Sequence, residues 1–267
     1  MSTHSRMSES EAVVVREQRG AVMVLRMNRP EARNALSPEL MGELGNGFAA
    51  AEADEGIRAV VLTGTGDRAF CAGMDLRAFA QGGSNPTPEQ QAGMPTFGRF
   101  MSGELSIPIV AAAQATAVAG GFELLLNCDV AVASEDAKFG LPEVKRALFP
   151  AGGGVYLSTR IPLAVALEMG LTGDNITAER AYALGLVNAV VPADRVLDAA
   201  VELAERIARN GPLGLQATKE LMRLAAINVD KAREKHAEWQ PKVFNSEDAK
   251  EGATAFIEKR DPVWRGR

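Results

Sequence analysis

Three short apolar runs constrain this chain more than any other feature. Residues 58–63 contain Ala-Val-Val-Leu-Thr, and two comparable runs follow at 107–113 and 129–133. Each has the length of a strand and is rich in β-branched and small residues, the pattern of a strand buried inside a sheet. Ahead of them, 12–17 and 21–27 are β-rich runs split by Arg19-Gly20, which predicts a hairpin. Helix starts lie between the strands. Ser37-Pro38-Glu39 supplies a hydroxyl cap, a proline at the first helical position and an acid in the first turn. The helix that follows runs to about residue 53 with Leu40, Leu44 and Phe48 on one face; Gly45 and Gly47 should weaken it by about 1 kcal/mol each. Strands and helices therefore alternate over 12–190, which makes the fold class α/β.

Beyond residue 151 helix signals dominate. Thr177 caps a short helix that stops at Gly185, and 195–210 is amphipathic through Val196, Ala200, Leu203 and Ile207. A helix over 213–229 follows. Ser246-Glu247-Asp248 opens the last one, which closes on Lys259-Arg260 and Pro262, with acids and cations at the ends the helix dipole favours. Residues 81–97, QGGSNPTPEQQAGMPTF, have no apolar periodicity and read as a long mobile loop fit to act as a lid. The resulting division is a disordered leader (1–10), a core carrying the site (11–194) and a C-terminal helical region (195–267).

Bulk chemistry excludes several function classes. The net charge is -5, without the basic face a nucleic-acid binder carries. No run reaches the ~18 apolar residues of a membrane span, and the first twelve residues lack the apolar stretch of a signal peptide. Two cysteines, Cys71 and Cys128, cannot build a disulfide framework, so a cytoplasmic setting is expected. Two distant histidines, His4 and His236, offer no metal-ligand spacing, and no metal is expected.

Four segments carry chemistry. Asn28-Arg29-Pro30-Glu31-Ala32-Arg33-Asn34-Ala35-Leu36 sits between a strand and a capped helix. Gly64-Thr65-Gly66-Asp67-Arg68-Ala69-Phe70-Cys71-Ala72-Gly73-Met74-Asp75-Leu76 follows the first apolar run, Ala-Val-Val-Leu-Thr. Its Gly64-x-Gly66-x-x-Ala69 formally matches a dinucleotide fingerprint. That fingerprint, however, should open a long helix and meet an acid at the end of a second strand about 20 residues on, and neither is present. In Ala119-Gly120-Gly121-Phe122-Glu123, small residues precede an apolar helix, whose free N-terminal N–H groups favour negative charge. Glu123 could be a surface acid in that first turn, but its apolar flank predicts burial, and a buried carboxylate needs a reason. Finally, Phe139-Gly140-Leu141-Pro142-Glu143 precedes Phe149-Pro150-Ala151-Gly152-Gly153-Gly154; Glu143 could simply pair with Lys145 or Arg146.

In this order and at these spacings the four segments resemble the crotonase (enoyl-CoA hydratase/isomerase) superfamily, from about residue 12 to the tail Phe256-Ile257-Glu258-Lys259-Arg260-Asp261-Pro262. The resemblance implies a spiral of ββα repeats with two stacked sheets and a C-terminal helical trimerisation region, assembling as a homotrimer or hexamer. It implies an acyl-CoA thioester substrate, with coenzyme A entering as part of the substrate and no separate cofactor. It places an oxyanion hole on the backbone N–H groups of Met74 and Gly120, and an acid–base pair on Glu123 and Glu143. The presence of both acids favours an enoyl-CoA hydratase. An isomerase or a hydroxyacyl- or carnitinyl-type dehydratase is the alternative, and a non-catalytic acyl-CoA binder is a further one. Substrate contacts are implied for Ala32, Arg33, Ala35, Ala72, Asp75, Leu76, Arg77 and Lys259. Arg29 and Arg68 join them as candidate partners for the coenzyme's phosphates. Met74 and the 81–97 segment are expected to shape the acyl pocket. Cys71 is read as a packing residue. Ala119 stands where many relatives have a glycine, and little effect is expected from it.

Overall fold

The computed structural model describes residues 12–76 and 86–267. The leader 1–10, Arg77 and residues 81–85 lie outside the described residues. β1 (Val14–Arg19) and β2 (Val22–Met27) form the expected antiparallel hairpin, closed by Gly20 at φ +58°. The apolar runs become β3 (Ala59–Gly64), β4 (Ile109–Ala113) and β6 (Val130–Ser134). Between and after these lie β5 (Ala117–Val118), β7 (Lys138–Gly140), β8 (Ile176–Thr177) and β9 (Ala189–Val191).

A six-stranded sheet has the order β1-β2-β3-β4-β6-β9, parallel after the first pair, and a three-stranded sheet has the order β5-β7-β8. Parallel neighbours require crossovers, which bring the chain back to the same edge each time. The crossovers here include α1 (Pro38–Ala53), α2 (Pro88–Met101), α3 (Gly120–Asn127), α4 (Leu163–Thr172) and α5 (Ala178–Ala183).

Strand periodicity divides the core in two. Leu25, Val60, Leu62 and Ile109 point to one face and pack with Leu40, Leu44 and Phe48 of α1. Val24, Val61, Val110 and Val132 point to the other. That second face is covered by α6 (Val196–Ala208), through Val196, Ala200 and Ala204. The first helix of the C-terminal region therefore closes the sheet. α7 (Pro212–Ile227), α8 (Val229–Phe244) and α9 (Glu247–Glu258) follow it. α8 has no counterpart among the helices expected from sequence; its polar, weakly periodic face hid it.

The 81–97 expectation is corrected over its second half: Pro88–Met101 is helical. Thr87 caps it in a reciprocal capping box with Gln90. The helix lacks an apolar stripe because it packs on α1 by backbone approach. A Cβ on Gly45 would strike the Gly93 carbonyl, and one on Gly93 the Gly42 carbonyl. Small residues let the axes close up, and the Phe48 and Phe100 rings then stack at 4.6 Å between centroids.

The second layer positions the site. Isolated parallel bridges join Leu36 to Met74 and Cys71 to Ala117, and Ala117 continues into β7 at Phe139. Segments far apart in sequence thus lie side by side in one short ladder beyond the ends of β2, β3, β4 and β6.

Candidate active site

Within that ladder, the N–H of Leu36 donates to the Gly73 carbonyl (2.7 Å) and the N–H of Asp75 donates to the Leu36 carbonyl (2.9 Å). Neighbouring amides in an extended segment point to opposite sides, so the N–H of Met74 faces away from Leu36 and has no recorded acceptor among the described residues. Gly120 opens α3, where first-turn amides lack intrahelical partners, and its N–H likewise has no recorded acceptor. The two segments touch: a Cβ on Gly73 would lie 3.2 Å from the Gly120 nitrogen, and one on Gly120 would lie 3.6 Å from the Gly73 Cα. Two free amide donors therefore stand at one small-residue junction, flanked by the Leu36 side chain and the Ala119 methyl.

Ala119 precedes this pair at φ +51°, ψ −132°, a backbone conformation that suits glycine. The alanine Cβ is thus carried on a backbone conformation that glycine adopts more readily. Its own amide is anchored by the Gly140 carbonyl (2.9 Å), which ties the start of α3 to β7.

Glu123 is 5% exposed. Its Oε1 accepts from the Gly154 N–H at 2.8 Å, and the Gly152 amide also donates to the carboxylate. The Gly152-Gly153-Gly154 turn wraps so closely that a Cβ on Gly152 would lie 2.5 Å from Oε2 and one on Gly154 3.1 Å from Oε1. The role of this triplet is not legible in the sequence beyond one signal, an unbroken run of glycines after an acidic motif. Burial pushes the Glu123 carboxyl above its ordinary range, and the two amides oppose that shift.

Glu143 sits on a 3-10 turn, Pro142–Arg146, with Oε2 buried and without a hydrogen-bond partner. Among the described residues it has no ion pair; Lys145 bonds Asp174 instead (2.6 Å). Desolvation raises its pKa, and repulsion from Glu123 adds to the rise against its own backbone amide and the attraction of Arg146. The two carboxyls therefore share one electrostatic environment with unequal support: Glu123 has amide donors that favour its anion, and Glu143 Oε2 has none.

The remaining residues sort by contact. Arg29 is not free to meet an external phosphate. Its guanidinium bonds the Asp75 carboxylate (2.9 Å) and the Ala35 carbonyl (2.6 Å). Ala72 donates to the Arg33 carbonyl (3.1 Å), so its amide is engaged. Ala32 is half-buried, while Arg33, Arg68 and Leu76 are exposed beside the junction. Met74 is 57% exposed at the mouth. At the end of α2, the Met101 methyl would lie 3.1 Å from a Cβ on Gly152 and so flanks the Glu123 carboxylate. Buried Asn34, unassigned from sequence, holds the loop after β3: its Nδ2 donates to the Thr65 and Ala69 carbonyls, and its Oδ1 accepts from the Arg29 amide. Lys259 caps α9 at φ +55°. No recorded contact joins it to these loops. The tail beside it meets Arg58, just before the N-terminal end of β3, and Arg209, at the C-terminal end of α6.

Cys71 is fully buried with its thiol pushed up to about 12 by desolvation, a packing residue. Gly64-x-Gly66-x-x-Ala69 opens no helix; Phe70 returns to the Thr116 carbonyl and Cys71 bridges Ala117. Among the described residues there is no group of three metal-ligating side chains and no helix long and apolar enough to cross a membrane.

The enoyl-CoA hydratase/isomerase family model matches residues 17–267. An enoyl-CoA hydratase of Mycobacterium tuberculosis is 40% identical over 255 residues, covering 94% of this chain and 96% of that protein. A carnitinyl-CoA dehydratase of Proteus mirabilis is 38% identical over 256 residues, covering 93% and 97%. The crystal structure of an enoyl-CoA hydratase from Mycobacterium tuberculosis superposes with a TM-score of 0.86 at 42% identity, over 96% of this chain and all of that one. A carnitinyl-CoA hydratase from Mycobacterium avium gives 0.74 at 40% identity, over 96% and 100%. The ββα spiral, the paired free amides, the buried Glu123 and the half-buried Glu143 thus sit in a chain that belongs to the enoyl-CoA hydratase/isomerase family, the crotonase family of hydratases and dehydratases.

Proposed function

We propose that the protein is a 2-enoyl-CoA hydratase. The observation that carries this reading is the pairing of two acids of unequal support, Glu123 and Glu143, beside the unengaged amides of Met74 and Gly120. The thioester carbonyl oxygen accepts from both amides. A water held between the acids attacks C3 while Glu123 takes its proton, and the π electrons move toward C2 and the carbonyl oxygen as an enolate. Glu143 then delivers a proton to C2, giving the 3-hydroxyacyl-CoA. Proton exchange between the acids and solvent resets the pair. Losing one such amide donor typically costs about 3 kcal/mol of transition-state stabilisation, and each acid–base group contributes roughly 100- to 10,000-fold.

Arg33 and Arg68 are the chain's own cations for the coenzyme's phosphates, joined by Arg77 and, from a neighbouring subunit, Lys259. The backbone at Ala32, Ala35, Ala72, Asp75 and Leu76 lines the adenine and pantetheine path. No cofactor beyond the coenzyme A of the substrate enters this scheme. The assembly is a homotrimer or a dimer of trimers.

A second reading, dehydration of a hydroxyacyl- or carnitinyl-type CoA, is favoured by the 38% identity to the carnitinyl-CoA dehydratase; it runs the same proton transfers in reverse.

Loss of enoyl-thioester absorbance with crotonyl-CoA tests the proposal. The parent is expected to yield 3-hydroxybutyryl-CoA, with Glu123→Gln and Glu143→Gln each slower by at least about 100-fold. Tight acyl-CoA binding without turnover would reject short-chain hydration and favour the second reading.

A further inference from the structure

We infer that the Arg29–Asp75 ion pair is a positioning device that aims the Met74 amide at the thioester oxygen; this rests on the enolate-stabilising reading above. The two side chains are 18% and 14% exposed and meet at 2.9 Å. The guanidinium also donates to the Ala35 carbonyl at 2.6 Å. It therefore spans both sides of the bridge that sets Met74: Ala35 precedes Leu36 on one side, and Asp75 follows Met74 on the other. Among the described residues three backbone hydrogen bonds join the two segments, Ala72 N–H to Arg33, Leu36 N–H to Gly73 and Asp75 N–H to Leu36, and the bridge is an isolated one rather than part of a named strand. A planar guanidinium with donors fixed in a fork suits a clamp of this kind, because it holds two acceptors at a set separation.

The base of the clamp is also fixed. The Arg29 amide donates to Asn34 Oδ1 (3.0 Å), and the Arg29 carbonyl accepts from Ala32 and Asn34. Arg33 and Asn34 stand at φ +53°, which turns the chain tightly enough for the Arg29 side chain to reach over the turn to Ala35. Arg29 thus acts on the reaction through Met74, with its cationic head committed inside the protein. This is why the sequence signal for a phosphate-binding arginine at 29 is misleading.

The test is a pair of mild variants, Arg29→Lys and Asp75→Asn, read out by turnover and by the red shift that a conjugated arylacryloyl-CoA undergoes when amide donors polarise its carbonyl. Lysine keeps the charge but loses the fork, and asparagine keeps the shape but loses the charge. In both variants kcat is expected to fall by about 10- to 100-fold, the scale on which catalytic groups respond to displacements near 1 Å. KM should stay within threefold, and the red shift of the bound probe should shrink by at least half while the probe still binds. The double variant Arg29→Met/Asp75→Leu, which removes both charges of the pair together, should be folded by circular dichroism and equally slow. Full kcat with an unchanged red shift in the folded single variants would overturn the clamp. So would a tenfold rise in KM at unchanged kcat and red shift, because it would return Arg29 to the coenzyme. A parent that binds the probe without any red shift would overturn the enolate-stabilising reading, and the clamp with it.

Discussion

Each of the two acids has a pH signature with a defined sign. Both carboxyls are raised by burial above the ordinary value of 4.5, and Glu143 further by Glu123. Hydration requires one anion and one proton on the pair. The kcat/KM profile should therefore be bell-shaped, its acid limb displaced above the ordinary carboxylate range, with apparent pKa values that belong to the coupled pair. A carboxyl whose folded pKa is raised stabilises the fold below its unfolded pKa and loses that contribution as pH rises through the folded value. Glu143→Gln should therefore have a higher Tm than the parent at pH 8 and lose that advantage toward pH 4, while turnover collapses. A Tm difference that grew toward low pH would mean that Glu143 is held as a stabilised anion.

Ala119 is a separate case at the same scale. A non-glycine residue in this region costs about 1–3 kcal/mol, and glycine would return part of that gain as backbone entropy. Ala119→Gly should stabilise the protein by about 1 kcal/mol, worth roughly 2–4 °C in Tm for a chain of this size, with turnover within about twofold. Gly73→Ala should do the reverse. Gly73 has φ +89°, and an added Cβ would lie 2.7 Å from that of Ala119 and 3.2 Å from the Gly120 nitrogen, so kcat should drop by about 100-fold. Thermal scans and crotonyl-CoA assays check both.

At the scale of elements, the α1–α2 crossing separates helix propensity from packing. In an isolated helix Gly45→Ala gains about 1 kcal/mol. Here the new Cβ would meet the Gly93 backbone carbonyl, which cannot swing aside as a side chain would. The expected result is a loss of about 1–3 kcal/mol in urea unfolding, the scale of overpacking; a gain would mean that the helices separate easily. The same crossing explains the limit of what the sequence tells. α1 was legible because Ser37-Pro38-Glu39 and the Leu40, Leu44, Phe48 stripe are local signals. β3, β4 and β6 were legible as apolar runs. α2 was not, because its partner surface is backbone and glycine leaves no periodic trace; the Thr87-x-x-Gln90 spacing was the one local signal of its start. In the site, Glu123 and Glu143 could be picked out by sequence motif. Arg29 and Asn34 could not be assigned, because their partners, Asp75, Thr65 and Ala69, lie 30 or more residues away and become neighbours only in the folded ladder.

At the scale of the whole molecule, apolar surface is left uncovered in an ordered way. Leu163, Leu167 and Leu171 recur every fourth residue along α4, and all three are exposed. A helix face of that spacing normally lies against something apolar. Phe149 and Tyr156, on the segments that lead from Glu143 to α4, are exposed as well, as are Phe244, Phe256 and Ile257 in the last two helices. Contiguous apolar exposure of this kind marks a surface that is covered in the working state, and self-association is the simplest cover for a chain whose tail carries Lys259 away from its own site. The helix itself packs on the 3-10 turn that bears Glu143 and on the turn that starts at Gly154, whose amide holds Glu123, so covering its outer face would stiffen both supports. Leu167→Glu places a charge in the middle of the stripe without touching either acid. The parent is expected to sediment as a multiple of the chain mass, and the variant to shift to monomer. Its circular dichroism should be unchanged and its kcat lowered by more than about tenfold, because supports left facing water would hold the acids less well. A monomeric parent with full activity would mean that the stripe serves some other partner and that the site is complete within a single chain.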